Sequence, residues 1–108
     1  MTHGIFITGT DTAVGKTLVT AALAVSLQKR GLDIGVMKPV ETGVVQGRPS
    51  DAVRLARAAQ VSDALDLVRP YAFRLPVAPF DAARAERRTI KLSTIVRAYR
   101  QLHARHEL

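Results

Sequence analysis

The stretch GTDTAVGKT at residues 9–17 constrains this chain most, because it directly follows the apolar run GIFIT at residues 4–8. A short β-prone run, a glycine-containing loop and a segment without Pro or Gly predict a strand, a loop and a helix in that order. Gly15, Lys16 and Thr17 then lie where backbone N–H groups and the helix dipole converge on an anion. The stretch is therefore interpreted as a phosphate-binding loop.

Each residue at the end of this loop suits a phosphate ligand. Gly15 lets the backbone approach a phosphate, the Lys16 ammonium can reach the outer phosphates, and the Thr17 hydroxyl is a natural Mg²⁺ ligand. The spacing is unusual, because five residues separate Gly9 from Gly15 where the common loop has four. Thr10 consequently occupies the place of the first glycine.

The first half of the chain predicts an α/β fold. A helix is expected over residues 16–30, and strands are expected over residues 5–8 and 33–38, the second of them stopped by Pro39. A strand, a helix and a strand of this length imply a right-handed crossover between parallel strands. The predicted architecture is a parallel sheet with flanking helices.

The second half predicts two further helices. Ser50 can cap a helix over residues 51–60, and apolar residues at intervals of three and four predict an amphipathic helix from residue 92 to nearly the C-terminus. Three prolines between residues 61 and 88 argue for loops around one short extended piece, PYAF at residues 70–73. A covered parallel sheet needs more strands than these, so residues 1–108 are expected to form the N-terminal part of a single, incomplete phosphate-loop domain.

Composition excludes several classes of protein. The chain has no cysteine and no apolar run long enough to span a membrane, and its N-terminus lacks the features of a secretory signal, so we expect a cytoplasmic protein with no membrane partner. Residues 52–108 carry 11 basic and 5 acidic side chains and hold most of the net charge of +7. The arginines are scattered without interleaved aromatic residues, which favours solvated helix faces over a nucleic-acid surface.

A second motif, KPVETG at residues 38–43, follows the second predicted strand. Ligands gather at the carboxyl ends of parallel strands, so Lys38 and Thr42 are expected to face the same crevice as the phosphate loop. Asp51 begins the next helix, where its carboxylate could either cap the helix or bind Mg²⁺.

The motif GTDTAVGKT, followed by KPVETG and then by SDA at residues 50–52, resembles the dethiobiotin synthetase family over essentially the whole chain. The chain departs from this family at Ala78-Pro79-Phe80, where the family usually has Ser-Pro-His-like residues. The resemblance implies an ATP- and Mg²⁺-dependent cyclo-ligase of biotin synthesis, with the phosphate-loop NTPase fold and a homodimer in the full-length form. Its substrates would be 7,8-diaminononanoate and CO₂. One amine forms a carbamate, ATP phosphorylates it, and the second amine closes the ureido ring with loss of phosphate.

The resemblance also implies roles for individual residues. Lys16 and Lys38 would be catalytic, Thr12 and Thr42 would lie near the substrate amine and carbamate, and Thr17 and Asp51 would hold the metal. The nucleotide would contact the residues of the loop end together with the acidic residue, namely Ala13, Val14, Gly15, Lys16, Thr17, Leu18 and Asp51.

Family members are about twice as long and continue into a strand that ends in a Glu-Gly-Ala-Gly-Gly motif. We therefore expect this chain to be the first half of a synthetase, with at most weak nucleotide binding of its own. The alternatives are a truncated, non-catalytic nucleotide-binding module and a phosphate-loop ATPase of the partitioning type. The second alternative is disfavoured, because such ATPases usually carry an additional lysine early in the loop.

Overall fold

The computed structural model describes residues 3–9 and 15–108. The chain folds into five helices and two short strands in these described ranges. In chain order they are α1 (Lys16–Lys29), β1 (Val40–Glu41), α2 (Asp51–Ala59), α3 (Leu65–Val68), β2 (Tyr71–Ala72), α4 (Pro79–Ala85) and α5 (Leu92–Arg105).

The two strands form a parallel pair. Val40 lies opposite Tyr71 and Glu41 lies opposite Ala72, and the N–H of Phe73 donates to the carbonyl of Glu41 at 2.8 Å. The connection between the strands runs through α2 and α3, as a parallel pair requires a crossover. The predicted class, a parallel α/β sheet with flanking helices that is incomplete in this chain, is confirmed.

The positions of the two N-terminal strands were predicted wrongly. Residues 5–8 and 33–38 are not strands, and β1 instead begins after Pro39. A strand needs a regular ladder with one neighbouring backbone. Residues 33–38 bond to different segments instead, since the Gly35 N–H donates to the Leu108 carbonyl at 2.9 Å and the Lys38 N–H donates to the Val68 carbonyl at 2.7 Å.

The helices at residues 16–30, at residues 51–60 and near the C-terminus are confirmed within one or two residues at the ends that were predicted, and the extended piece PYAF contains β2. The prediction of loops over the rest of residues 61–88 was wrong, because α3 and α4 lie there. Pro79 is the first residue of α4, a position that has no intrahelical N–H bond to lose and that suits the fixed φ of proline. Proline was interpreted as a helix breaker where it begins a helix.

Two apolar clusters form the core of the described part of the chain. The first joins α1 and α2 to the segment before β1, and the second lies between β2 and α4, where Phe73 is fully buried. The buried members of the first cluster are Ala24, Ile34, Val36, Ala52, Leu55, Ala59 and Val68, and those of the second are Tyr71, Phe73, Ala82 and Ala83.

The imidazole of His106 fastens the end of α5 to the body of the chain. Its Nδ1 lies 2.7 Å from Oδ1 of Asp33, and its Nε2 lies 2.6 Å from Oδ2 of Asp63. Arg105 also contacts Asp63, at 3.3 Å. Burial lowers the pKa of His106, but the hydrogen bonds and charges of the two carboxylates outweigh it, so that the pKa lies above its ordinary value.

A helix able to cross a bilayer would have to be longer and more apolar than any found in residues 3–9 and 15–108.

We predict that Phe73→Ala destabilises the chain by about 3–5 kcal/mol, because it removes a fully buried ring and leaves a cavity. Phe80→Ala is the matched control, since that ring is 74% exposed, and it should change stability by less than about 0.5 kcal/mol. Urea unfolding followed by circular dichroism measures both. Equal destabilisation by the two substitutions would contradict the packing described above.

The raised pKa of His106 predicts a pH-dependent contribution to stability. The contribution is complete below the unfolded-state pKa of about 6.5 and is lost as the pH rises through the higher folded-state pKa. The difference in melting temperature between wild type and His106→Gln should therefore shrink between pH 6 and pH 9. Asp63→Asn should reduce this dependence, and a difference independent of pH would exclude a charged His106 in the folded state.

Candidate phosphate-binding site

The end of the predicted phosphate loop has the backbone shape that its glycine allows. Gly15 has φ = +84° and stands immediately before α1, and its carbonyl accepts the N–H of Val19 at 3.0 Å. A residue with a Cβ would be strained at this φ. Helix α1 therefore begins directly after this glycine, at Lys16.

Three side chains that the sequence analysis assigned to the site lie together. The Lys38 ammonium donates a hydrogen bond to Oδ2 of Asp51, and the Thr17 hydroxyl hydrogen-bonds to the same carboxylate. The three residues come from α1, from the segment before β1 and from α2. The side chains of Lys38 and Asp51 are about 30% exposed, which leaves the ion pair open to a ligand.

The environment of Asp51 keeps its carboxylate ionised. Burial works to raise the pKa, but the hydrogen bond and charge of Lys38 and the hydrogen bond from Thr17 outweigh burial. The charge of Arg54 adds a smaller effect in the same direction, so the pKa of Asp51 lies below its ordinary value of 3.8. A carboxylate that stays charged at all physiological pH values is suited to a divalent cation.

The carboxylate of Asp51 does not cap its own helix. The Ser50 hydroxyl accepts the N–H of Val53 at 3.3 Å, as predicted for the N-cap residue. The carboxylate of Glu41 accepts the N–H of Asp51 at 2.8 Å and the N–H of Ala52 at 3.3 Å. The capping role that the sequence left open for Asp51 is thus taken by two other residues.

Glu41 and its partner Arg69 are the residues that sequence reasoning missed. Glu41 lies within the motif KPVETG and Arg69 directly precedes the piece PYAF, but neither received a role. The Arg69 Nη1 donates to Glu41 Oε1 at 3.0 Å and to Ser50 Oγ at 2.9 Å. The acidic residue Glu41 lies between Val40 and Thr42, at the end of an apolar run, and this position was a local signal of a functional role. Its cation lies 28 residues away, and no spacing rule joins the two.

The remaining predicted residues are distributed around this centre. Lys16 and Thr17 line the same cleft as Lys38, which has a volume of about 510 Å³. Leu18 is 76% exposed on α1, and Thr42 lies partly exposed directly after β1. The predicted contacts of Thr12, Ala13 and Val14, and the position of Thr10, fall outside the described residues.

The donor set fits a magnesium ion. Asp51 supplies a carboxylate and Thr17 a hydroxyl, and Mg²⁺ binds through one or two carboxylates together with phosphate oxygens and water. In residues 3–9 and 15–108, no group of three or more His, Cys, Asp or Glu side chains could hold a metal ion. A cation here would accordingly rely on the oxygens of a bound phosphate.

The chain is similar to known proteins. A family model described as an AAA domain matches residues 3–108. Three relatives are each named ATP-dependent dethiobiotin synthetase BioD. The relative from Anaeromyxobacter sp. (strain Fw109-5) is 49% identical over 105 residues, and that from Nitrosopumilus maritimus is 43% identical over 107 residues. The relative from Thermodesulfovibrio yellowstonii is 40% identical over 111 residues.

These alignments cover 96–99% of the present chain but only 46–47% of each relative. The chain therefore spans about half the length of the curated relatives that it matches.

We predict that Lys38→Met raises the pKa of Asp51 above its wild-type value, because burial then acts without the opposing cation. Carboxyl ¹³C chemical shifts followed through an acid titration measure this pKa. Arg54→Gln is the control and should give a smaller shift, since its charge has the least influence on Asp51. An unchanged pKa in Lys38→Met would mean that the ion pair does not form in solution.

Proposed function

Because the chain belongs to the AAA domain family, we propose that it is the phosphate-binding half of an ATP-dependent dethiobiotin synthetase. The observation that carries the proposal is the convergence of Thr17, Lys38 and Asp51 at the end of the phosphate loop. Relatives that bear this name are 40–49% identical to the chain in alignments that cover 96–99% of it, which supports the same chemistry.

In the proposed reaction, side chains that line this cleft have specific roles. One amine of 7,8-diaminononanoate adds to CO₂ and loses a proton to form a carbamate. A carbamate oxygen then attacks the γ-phosphorus of ATP, and ADP leaves. Lys16 offsets negative charge on the outer phosphates, and Lys38 stabilises the carbamate and the transferring phosphoryl group. The second amine then attacks the carbamoyl carbon, phosphate leaves, and the ureido ring closes.

The ion pair between Lys38 and Asp51 supports a role for both residues in these reaction steps. The charge of each is offset by the other, so the site can hold a lysine beside a carboxylate without a large unpaired charge. A nucleotide with its cation would compete for both partners. Mg²⁺, when bound to Thr17 and Asp51, would supply positive charge to the phosphates.

Residues 3–9 of this proposed half-domain expose apolar side chains. Ile5 is 57% exposed and Phe6 is 87% exposed, and both line the cleft together with Val36. The N–H of His3 donates to the carbonyl of Glu107 at 3.4 Å, and the N–H of Glu107 donates to the carbonyl of Asp33 at 2.9 Å. We propose that the second half of the domain covers this apolar cleft. A homodimer and a cytoplasmic location remain parts of the same proposal.

We predict that the chain alone turns over 7,8-diaminononanoate at most very slowly with ATP, Mg²⁺ and bicarbonate. Co-expression with the part of the Anaeromyxobacter sp. relative that the chain does not span should restore dethiobiotin formation, measured by mass spectrometry. Ordinary enzymatic rates for the chain alone would reject the half-domain proposal. Inactivity of the purified, folded complex, despite ATP binding, would favour the non-catalytic module.

Two lysine substitutions in the co-expressed complex separate binding from chemistry. Lys16→Ala should abolish ATP binding, because this ammonium contacts the phosphates in the ground state. Lys38→Ala should leave ATP binding within a few-fold and reduce turnover by about a hundredfold or more, because its charge acts on the transferring group. Binding is measured by calorimetry and turnover by phosphate release. The reverse pattern would reject the two assigned roles.

A further inference from the structure

Glu41 is the most deeply buried charged residue in the part of the chain that the structure describes. It is 5% exposed, and its carboxylate has three partners: the N–H groups of Asp51 and Ala52 and the guanidinium of Arg69. The first two are N–H groups of the first turn of α2, which have no acceptor within the helix, and the positive end of the helix dipole there favours an anion. Glu41 therefore ties the end of β1 to the start of α2.

We propose that Glu41 is a positioning residue that holds Asp51 against Lys38 and Thr17, an inference that rests on the proposed function. The hydrogen bond from the Asp51 N–H fixes the backbone of the residue whose carboxylate meets Lys38. Lys38 lies three residues before Glu41 on the same short segment. One buried carboxylate thus sets the distance between the two partners of the ion pair.

The energetics favour positioning over stability as the reason for this buried ion pair. Desolvating a glutamate and an arginine is costly, and a buried ion pair is commonly no better for stability than apolar residues of similar volume. The side chain of Arg69 is 12% exposed, and its Nε is buried without a hydrogen-bond partner among the described residues. The pair is therefore poorly built as a source of folding free energy. Its second contact, from Arg69 to Ser50 Oγ, again acts on the start of α2.

The supporting residues of a metal ligand usually matter nearly as much as the ligand. Loss of such a partner commonly costs about tenfold to a hundredfold in metal affinity. If Asp51 binds the cation of the nucleotide, the loss of Glu41 should weaken the contribution of Mg²⁺ to ATP binding. It should leave the smaller affinity for metal-free ATP unchanged, because no phosphate contact is removed.

The test uses the 108-residue chain and three variants. Glu41→Gln keeps the size of the side chain and removes its charge, and Glu41→Gln with Arg69→Met also removes the unpaired cation. Glu86→Gln is the matched control, because Glu86 also accepts a backbone N–H, that of Arg74 at 2.8 Å, far along the chain from Asp51. NMR titrations with ATP, in Mg²⁺ and in a chelator, measure the Mg²⁺ contribution to affinity. Amide hydrogen exchange measures directly the protection of the N–H groups that Glu41 accepts.

In Glu41→Gln, we expect the amides of Asp51 and Ala52 to exchange at least several-fold faster relative to Val53, which Ser50 caps. The Mg²⁺ contribution to ATP affinity should fall about tenfold or more. The double variant should regain stability but not the Mg²⁺ contribution, and Glu86→Gln should match wild type in both measurements.

Failure of this inference and failure of the proposed function give different results. A full Mg²⁺ contribution in Glu41→Gln would overturn the positioning role and leave the proposed function intact, as would unchanged exchange of the two amides. A wild-type chain that binds ATP equally with and without Mg²⁺ would overturn the metal role of Asp51, and the positioning role with it. Recovery of Mg²⁺ affinity together with stability in the double variant would reduce Glu41 to a structural residue.

Discussion

The contact between the Glu41 carboxylate and the first turn of α2 organises the site, because three parts of the chain meet there. It joins β1 to α2, and through Arg69 it adds the segment that precedes β2. The carboxylate accepts N–H groups at the positive end of the α2 dipole, so its charge is stabilised by the backbone as well as by the Arg69 guanidinium. The position of Asp51 beside Lys38 follows from this junction, and with it the electrostatics of the cleft.

The site combines a rigid side and an open side. On the rigid side, buried apolar residues of α1 and α2, together with the short parallel pair, fix the backbone positions of Thr17 and Asp51. On the open side, the side chains of Lys38 and Asp51 are partly exposed. This arrangement suits phosphoryl transfer, in which catalysis depends on positioned charges more than on a covalent step. The cleft that adjoins these groups is lined by apolar side chains such as Ile5 and Val36, which suits cover by further protein.

Local patterns predicted the helices and the class of the fold, because helix periodicity, Ser50 and Gly15 act within a few residues. Strand positions were not predictable in the same way, since pairing with a distant backbone decides which extended residues form a ladder. Pro79 was wrongly interpreted as a helix breaker, because the effect of proline on a helix depends on its position within that helix. Thr17, Lys38 and Asp51, which the motifs singled out, lie together in the structure, and their roles are proposed. The motifs could not reveal the 28-residue connection between Glu41 and Arg69.

The bridge made by His106 has a consequence for how the chain is made. His106 and Asp33 are 73 residues apart in sequence, and the bridge to Asp63 spans 43. Closing loops of this length costs entropy that only completed contacts can offset. During synthesis, α1 and the segment containing Ile34 leave the ribosome long before their C-terminal partner exists. The carboxylates of Asp33 and Asp63 therefore remain without their histidine partner until residue 106 has been synthesised.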